Sequence, residues 1–328
     1  MDSSLYPLKF EPILKDKIWG GTRLKTVLNK NISDANQCGE SWEISGLVGD
    51  ESMVVNGFLA ENNLNELLEI YLTDLVGEKN YEQYGLGFPL LIKFIDAQDN
   101  LSVQVHPDDD LAMRKYGQNG KTEMWHVIAS EPGSGLYVGF REKVSRAQFE
   151  EAIASGTVDQ LLKFYPVQPG DTFMIPAGTV HAIGKGVLLA EIQQPSDITF
   201  RVFDWNRLDN EGNPRELHVK EALEAIHFDE QTQDFKIDYQ PALNKTVKLV
   251  RSPFFNTSVL EFDQPLSKSF TEIDSFVIYI CLDGQILMAC GDKRERLETG
   301  EVVLVPADIE EVQLLPARKS KVLEVYCQ

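Results

Sequence analysis

The sequence predicts a mainly β protein built as two barrel-like or sandwich-like units with helical insertions. Three observations carry that expectation. Runs of five to seven apolar-rich residues recur between Gly, Pro, Asn and Asp, the rhythm of strands and tight turns. A glycine followed by five residues and then Pro-Ala occurs twice, with Gly170 aligned on Gly300 and Pro176-Ala on Pro306-Ala. Segments of helical spacing are few and fall between the strand runs.

Taken in order, Asn63 can cap a helix in which Leu64, Leu67, Leu68, Tyr71 and Leu75 recur on one face, with Gly77 as its end. Strands are expected at 89–95, 101–106 and 123–128. Ser145 and Gln148 have the form of a capping box, with Phe149, Ala152 and Ile153 on one face, so 145–154 should be helical. Further strands are expected at 171–175, 187–193 and 198–203, and a helix at 219–226. The helical insertions then occupy about 60–77, 141–165 and 218–228. The polar stretch 229–240 has no clear period and would join a first unit, 1–240, to a second, 241–328, whose apolar strands include 276–282 and 302–305. In the second copy of the repeat Asp308 replaces Gly178 and Glu311 replaces His181, so any chemistry belongs to the first copy.

Composition narrows the function. Lys plus Arg number 31 and Asp plus Glu 51, a net charge of −20, which disfavours a nucleic-acid binder because such a protein must displace counterions from phosphates. The same balance speaks at first sight against a small anionic substrate. With 43% hydrophobic and 25% charged residues the chain can bury a core and is not compositionally disordered. The longest apolar run, 276–282, is far short of the roughly 18 residues of a membrane span. No secretory pattern opens the chain, so the expectation is a cytoplasmic protein whose four cysteines stay thiols and have no assigned role.

Four segments could carry chemistry. In 101–106, alternation puts Ser102, Gln104 and His106 on one face and Leu101, Val103 and Val105 on the other. The polar face suits either solvent or a metal. In 121–126, Glu123 shares a face with Trp125 and not with His126, which reads as a hydrogen-bonded structural histidine outside the site. The segment Gly170-x5-Pro176-x-Gly178-x2-His181 makes a tight turn and then aims His181 into whatever the sheet encloses. In 198–203, Thr199, Arg201 and Phe203 share a face opposite Ile198, Phe200 and Val202. An arginine there needs a lined cavity or an ion pair, with Glu191 or Asp204 as partners. Lys93, in an equally apolar strand, poses the same problem.

The Gly-x5-Pro-x-Gly-x2-His181 segment resembles the second motif of the cupin superfamily, whose β-barrels bind a metal in their mouth. Gln104-Val-His106-Pro, Lys121-Thr-Glu123-Met-Trp, Pro-Ala-Gly-Thr-Val-His181 and Ile-Thr-Phe-Arg201-Val-Phe-Asp, in this order, resemble the type I mannose-6-phosphate isomerases. Trp19-Gly-Gly and Leu-Ile-Lys93-Phe-Ile-Asp fit the same family, so the likeness runs from about residue 5 to 210. Gln104 stands where general cupins have the first His of His-x-His, a replacement typical of the isomerases, and the chain is shorter than the long members.

The resemblance implies a bicupin of two cupin-type barrels or jelly rolls, the second degenerate. It implies one zinc ion per chain on Gln104, His106, Glu123 and His181. It also implies interconversion of mannose 6-phosphate and fructose 6-phosphate through an enediol, with Arg201 at the oxyanion and Lys121 and Glu191 as proton-transfer candidates. Lys93, Ser102 and Arg207 are the candidates for the phosphate. The expected partner is thus a small sugar phosphate, with no nucleic acid or membrane; the oligomeric state, a monomer included, is left open. Two alternatives stay open at this point: another metal-dependent cupin enzyme, such as an oxygenase or a different sugar-phosphate isomerase, and a non-catalytic sugar-binding cupin.

Overall fold

Residues 5–33, 37–208 and 212–328 are described in the structure, a computed structural model. In chain order the strands of the first part are β1 (Leu8–Lys9), β2 (Ile13–Gly21), β3 (Cys38–Ile44), β4 (Gly46–Leu47), β5 (Asp50–Glu51), β6 (Leu91–Ala97), β7 (Val103–Val105) and β8 (Glu123–Ser130). They continue with β9 (Gly135–Phe140), β10 (Leu162–Pro166), β11 (Thr172–Ile175), β12 (His181–Ile183), β13 (Val187–Gln193), β14 (Phe200–Phe203) and β15 (Lys236–Ile237). The C-terminal part adds β16 (Lys245–Arg251), β17 (Asn256–Phe262), β18 (Leu266–Ser269), β19 (Val277–Asp283), β20 (Gln285–Cys290), β21 (Lys293–Glu298), β22 (Val302–Val305), β23 (Glu311–Pro316) and β24 (Ser320–Tyr326). Helices are α1 (Arg23–Thr26), α2 (Leu64–Tyr71), α3 (Thr73–Val76), α4 (Glu78–Tyr84), α5 (Asp109–Tyr116), α6 (Arg146–Ser155) and α7 (Val219–Ala225). None of them is long and apolar enough to cross a membrane. The chain is mainly β, as expected.

Strand order repeats. A seven-stranded sheet, β15-β11-β8-β13-β6-β2-β3, faces a five-stranded one, β10-β9-β12-β7-β14. In the C-terminal part the series β22-β19-β24-β17 and β21-β20-β23-β18 reproduce β11-β8-β13-β6 and β10-β9-β12-β7. The repeated glycine has a physical reason in both copies, since Gly170 and Gly300 have φ of 99° and 85°. After Pro-Ala the copies diverge. Gly178 adopts φ 81°, whereas Asp308 has no positive φ, and the strand that follows turns over. Glu311 is exposed and Val312 takes the inward place, so the residue occupying the position of His181 on the inner face is a valine.

Apolar burial sets the layers, each buried aliphatic or aromatic side chain contributing about 1.5–3 kcal/mol. Trp19, Trp125, Val138, Phe173 and Leu189 fill the space between the first two sheets, and Val277, Tyr279, Met288, Val303 and Leu314 fill the second pair. The outer face of the five-stranded sheet, with Val103, Val105, Ala182 and Phe200, is covered by Phe149 and Ala152 of α6 and by Ala222 and Leu223 of α7. A further cluster joins the two halves: Ile92, Phe94, Ala190 and Ile192 pack with Ile278, Leu304, Leu323 and Val325, sealed by Leu64, Leu67 and Leu68 of α2.

Several local expectations change. The helix begun at Asn63, with its capping box to Glu66, breaks at Leu72, whose φ is 46°, and a further helix follows Gly77. The helix at 219–226 ends at Ala225. Helix α5, capped by Asp108, was not anticipated because its charged residues give only a thin apolar stripe. In β14 a bulge between Arg201 and Phe203 turns Phe203 into the cluster holding Phe200 and Val202, so it does not share the face of Arg201. Leu101 packs with Trp19 and Trp125 and leaves the face of Val103, because the strand begins only at Val103. Part of 229–240 is ordered as β15 on the edge of the seven-stranded sheet, and β1, from the N-terminal segment, pairs with β22 of the C-terminal sheet.

Candidate active site

Strand register brings the polar residues together. In the five-stranded sheet Gln104 lies between His181 on β12 and Arg201 on β14, pairing with both. In the facing sheet Glu191 lies between Trp125 on β8 and Lys93 on β6. Glu123 opens β8, paired with Ile175 and Gln193. His106 follows β7, and the turn that delivers His181 is packed tightly: a Cβ at Gly178 would lie 2.6 Å from His227 Cγ.

His106, Glu123 and His181 are buried, with ligand atoms all within 4.8 Å of one another. Glu123 Oε2 is 3.6 Å from His106 Nε2, and its Oε1 is 3.4 Å from His181 Nε2. Neither oxygen has a hydrogen-bond partner among the described residues. Gln104 Nε2 is 3.3 Å from His181 Nε2, and Lys121 Nζ is 3.2 Å from His106 Nε2 and 3.3 Å from Glu123 Oε2. Burial, followed by the charge of Lys121, holds His106 well below the usual imidazole range. Burial likewise pulls His181 down to about 4.

A cavity of about 250 Å³, adjoining this cluster at Gln104 and Lys121, is lined by these two and by Lys93, Ser102, Glu191 and Arg201, all named from the sequence. Glu191 accepts a hydrogen bond from Trp125 Nε1 at 2.9 Å; burial and then the charge of Glu123 push its carboxyl up to about 7, against Lys121 and Lys93. Burial opposes the charge of Lys121, but Glu123 and Glu191 outweigh it and raise its pKa. Arg201 Nη1 donates to the Glu216 carbonyl at 2.8 Å, and its Nε is buried without a partner. The alternative reading of Arg201, an ion pair with Glu191 or Asp204, is not what the described residues show: Glu191 lies near Lys93, and Asp204 is taken by Arg207 and Arg215.

Arg207 does not line this cavity; its guanidinium is turned to Asp204 and to the Asn100 carbonyl. Lys17, Trp19, Glu40, Asp197, Thr199 and Arg215 line it and were not foreseen. Glu40 had a readable signal, an acid in the buried strand Cys38–Ile44, which is the same anomaly that singled out Lys93. Burial disfavours its charge, but Lys93 and Lys17 hold its carboxyl down at about 2. His126 lies on the opposite face of β8 with Nδ1 2.8 Å from Thr172 Oγ1, as a structural histidine should.

The family model for the type I phosphomannose isomerase catalytic domain matches residues 7–131. Mannose-6-phosphate isomerase of Streptococcus mutans serotype c is 34% identical over 307 residues, 94% of each chain. The chain belongs to the mannose-6-phosphate isomerase family. Mannose-6-phosphate isomerase ManA of Bacillus subtilis is 34% identical over 310 residues, 94% of this chain and 95% of that one. A crystal structure of the mannose 6-phosphate isomerase from Bacillus subtilis superposes with a TM-score of 0.87 at 30% identity, covering 98% of this chain and 99% of that one.

For a member of the mannose-6-phosphate isomerase family the donor set suits a divalent ion. His106 Nδ1 bonds the Ile198 carbonyl at 2.9 Å and His181 Nδ1 the Thr179 carbonyl at 2.8 Å. Each Nδ1 must therefore carry the proton, which leaves both Nε2 atoms unprotonated, 3.6 and 3.4 Å from Glu123 and beside Lys121 and Gln104. Two neutral imidazoles and a carboxylate with two orphaned oxygens form a buried acceptor cluster that a cation would satisfy. Gln104 can turn its amide to present oxygen to the same point.

Proposed function

We propose that this chain is a zinc-dependent isomerase that interconverts mannose 6-phosphate and fructose 6-phosphate. The observation that carries the reading is the buried His106–Glu123–His181 cluster in contact with Gln104 and Lys121, which line a cavity together with Glu191 and Arg201. Gln104, His106, Glu123 and His181 would hold the ion, which when bound supplies a Lewis acid for the sugar oxygens.

The reaction needs no outside oxidant. A proton leaves C2, a proton arrives at C1, and a hydroxyl proton moves from O2 to O1, through an enediol. Glu191 and Lys121, both facing the cavity, are the groups that take up and return these protons. Arg201, oriented by the Glu216 carbonyl, offers charge to the oxygen on which negative charge develops. Lys93 and Ser102 line the same cavity and are contacts for the phosphate; Arg207 supports them from behind. Residues 241–328 would play a supporting part, since Val312 stands on the inner face where the catalytic half has His181.

Isomerase assay with mannose 6-phosphate, before and after chelation and after zinc is restored, tests the reading. Turnover should vanish with the metal and return with it, and His181→Ala should lose both. Full turnover in a metal-free protein would refute the zinc requirement; none under any condition would refute the activity.

A further inference from the structure

The turn that delivers His181 is held by a segment far along the chain. Gly178 N–H donates to the His106 carbonyl at 2.9 Å, so the turn before one histidine is bonded directly to the other histidine's backbone. Beyond α7 the chain makes a single 3-10 turn, Phe228–Glu230, and then sets Gln231 against the same turn. Gln231 falls in the polar stretch 229–240, which by its lack of period reads as a joining segment.

Gln231 is 1% exposed, and both ends of its amide are in use. Its Oε1 accepts from Val180 N–H at 2.9 Å, and its Nε2 donates to the Gly178 carbonyl at 2.8 Å and to the His227 carbonyl at 3.0 Å. One side chain thus ties both ends of the run from Gly178 to Val180. Its main chain is fixed as well: the Gln231 carbonyl accepts from Phe140 N–H at 2.8 Å, at the end of β9, the strand that pairs with β12. His227 closes the other side, with its N–H donating to the Gly178 carbonyl at 3.1 Å and its ring 3.2 Å from Oδ2 of Asp108, which follows His106-Pro107.

A single peptide group links this clip to the metal cluster. The Thr179 carbonyl, which accepts from His181 Nδ1 at 2.8 Å, and the Val180 N–H, which donates to Gln231, belong to the same planar unit. Rotation of that plane would break both bonds together. An acceptor on the N–H also polarises the carbonyl, which strengthens its hold on the imidazole proton.

Resting on the metal-site reading above, we propose that Gln231 is a positioning residue that fixes the tautomer and direction of His181 through the Thr179–Val180 peptide. A primary amide suits the place: it offers an acceptor and two donors from one rigid plane and brings no charge to compete with Glu123 for the ion.

Zinc affinity by chelator competition, the visible spectrum of the cobalt-loaded chain, and nitrogen-15 NMR of the metal-free chain at about pH 8, where imidazoles are neutral, test this on the full chain. Gln231→Met keeps the length of the side chain and neither hydrogen bond. It should weaken zinc by roughly 10- to 100-fold, the ordinary effect of losing an outer partner of a metal-binding histidine, and shift the cobalt bands. Gln231→Glu, whose carboxyl when buried and protonated can accept and donate at the same two points, should recover part of the loss. In the metal-free wild type the His181 ring should carry its proton on Nδ1 alone, and in Gln231→Met it should divide between the two tautomers. Zinc affinity and cobalt bands that do not change in Gln231→Met overturn the proposal, and so does an equal loss in Gln231→Met and Gln231→Glu. Should Gln231→Met not fold, Gln231→Asn, whose amide stops one methylene short of the turn, decides in its place by the same criteria. Should the wild-type chain bind no zinc or cobalt, the metal reading falls while NMR still decides: a His181 tautomer fixed in wild type and released in the variant upholds the positioning role, and equal tautomer populations in both overturn it.

Discussion

His126 is fully buried, and that burial, reinforced by the charge of Lys321, pulls its pKa down to about 3. An unfolded histidine titrates near 6.5. Above that value both states are neutral and stability is full. As pH falls from 6.5 toward 3 the unfolded chain takes up a proton that the native chain refuses, so stability falls with pH by up to about 1.4 kcal/mol per unit. His126→Asn, which keeps a donor for Thr172, should flatten this slope. Denaturant midpoints at pH 6.5 and pH 5 measure it, and an identical difference in the two proteins would show that His126 carries none of it.

At the scale of elements, α6 matters because Phe149 and Ala152 cover the sheet that carries Gln104 and His181. The Ser145 side chain accepts from the Gln148 backbone N–H while the Gln148 side chain reaches back to Ser145. Ser145→Ala should cost about 1 kcal/mol, seen as a lower urea midpoint with an unchanged m value and unchanged turnover. A midpoint that does not move would mean the helix is held by packing alone. This box was legible in the sequence, as was the face of Gln104, because period and cap chemistry are local; the set His106, Glu123 and His181 came from the family resemblance. The break at Leu72, the bulge beside Phe203 and the slip that exposes Glu311 were not, since tertiary packing selects each of them against a sequence pattern that continues smoothly. Arg215 was invisible for another reason: it lies in an irregular segment, where no periodicity points it to the cavity it lines.

Taken as a whole, the molecule is joined by the cluster in which Ile92, Phe94 and Ile192 meet Ile278, Leu304 and Leu323. Removing the C-terminal part would lay that sheet face open to water. A chain ending at residue 240 should therefore bind a hydrophobic dye such as ANS, aggregate and lose metal affinity, although every proposed metal ligand lies before that point. Size-exclusion chromatography with metal analysis checks this; a soluble, monomeric, active fragment would show that the two halves stand independently. The net charge of −20 does not by itself argue against the proposed phosphate substrate, because Lys17, Lys93, Lys121, Arg201 and Arg215 line the cavity beside Glu40, Glu191 and Asp197.

The pairing of Leu8 with Leu304 also sets an order of events in the cell. Residue 8 leaves the ribosome almost a full chain length before its partner is made, an interval of roughly 15 to 60 s at ordinary elongation rates of about 5–20 residues per second. Throughout that interval Leu5, Tyr6, Leu8 and Phe10, all buried in the finished molecule, have no C-terminal sheet to dock on. Tyr6 and Phe10 can already meet Asn56 and Val54 of their own half, so it is Leu8 whose strand partner arrives last.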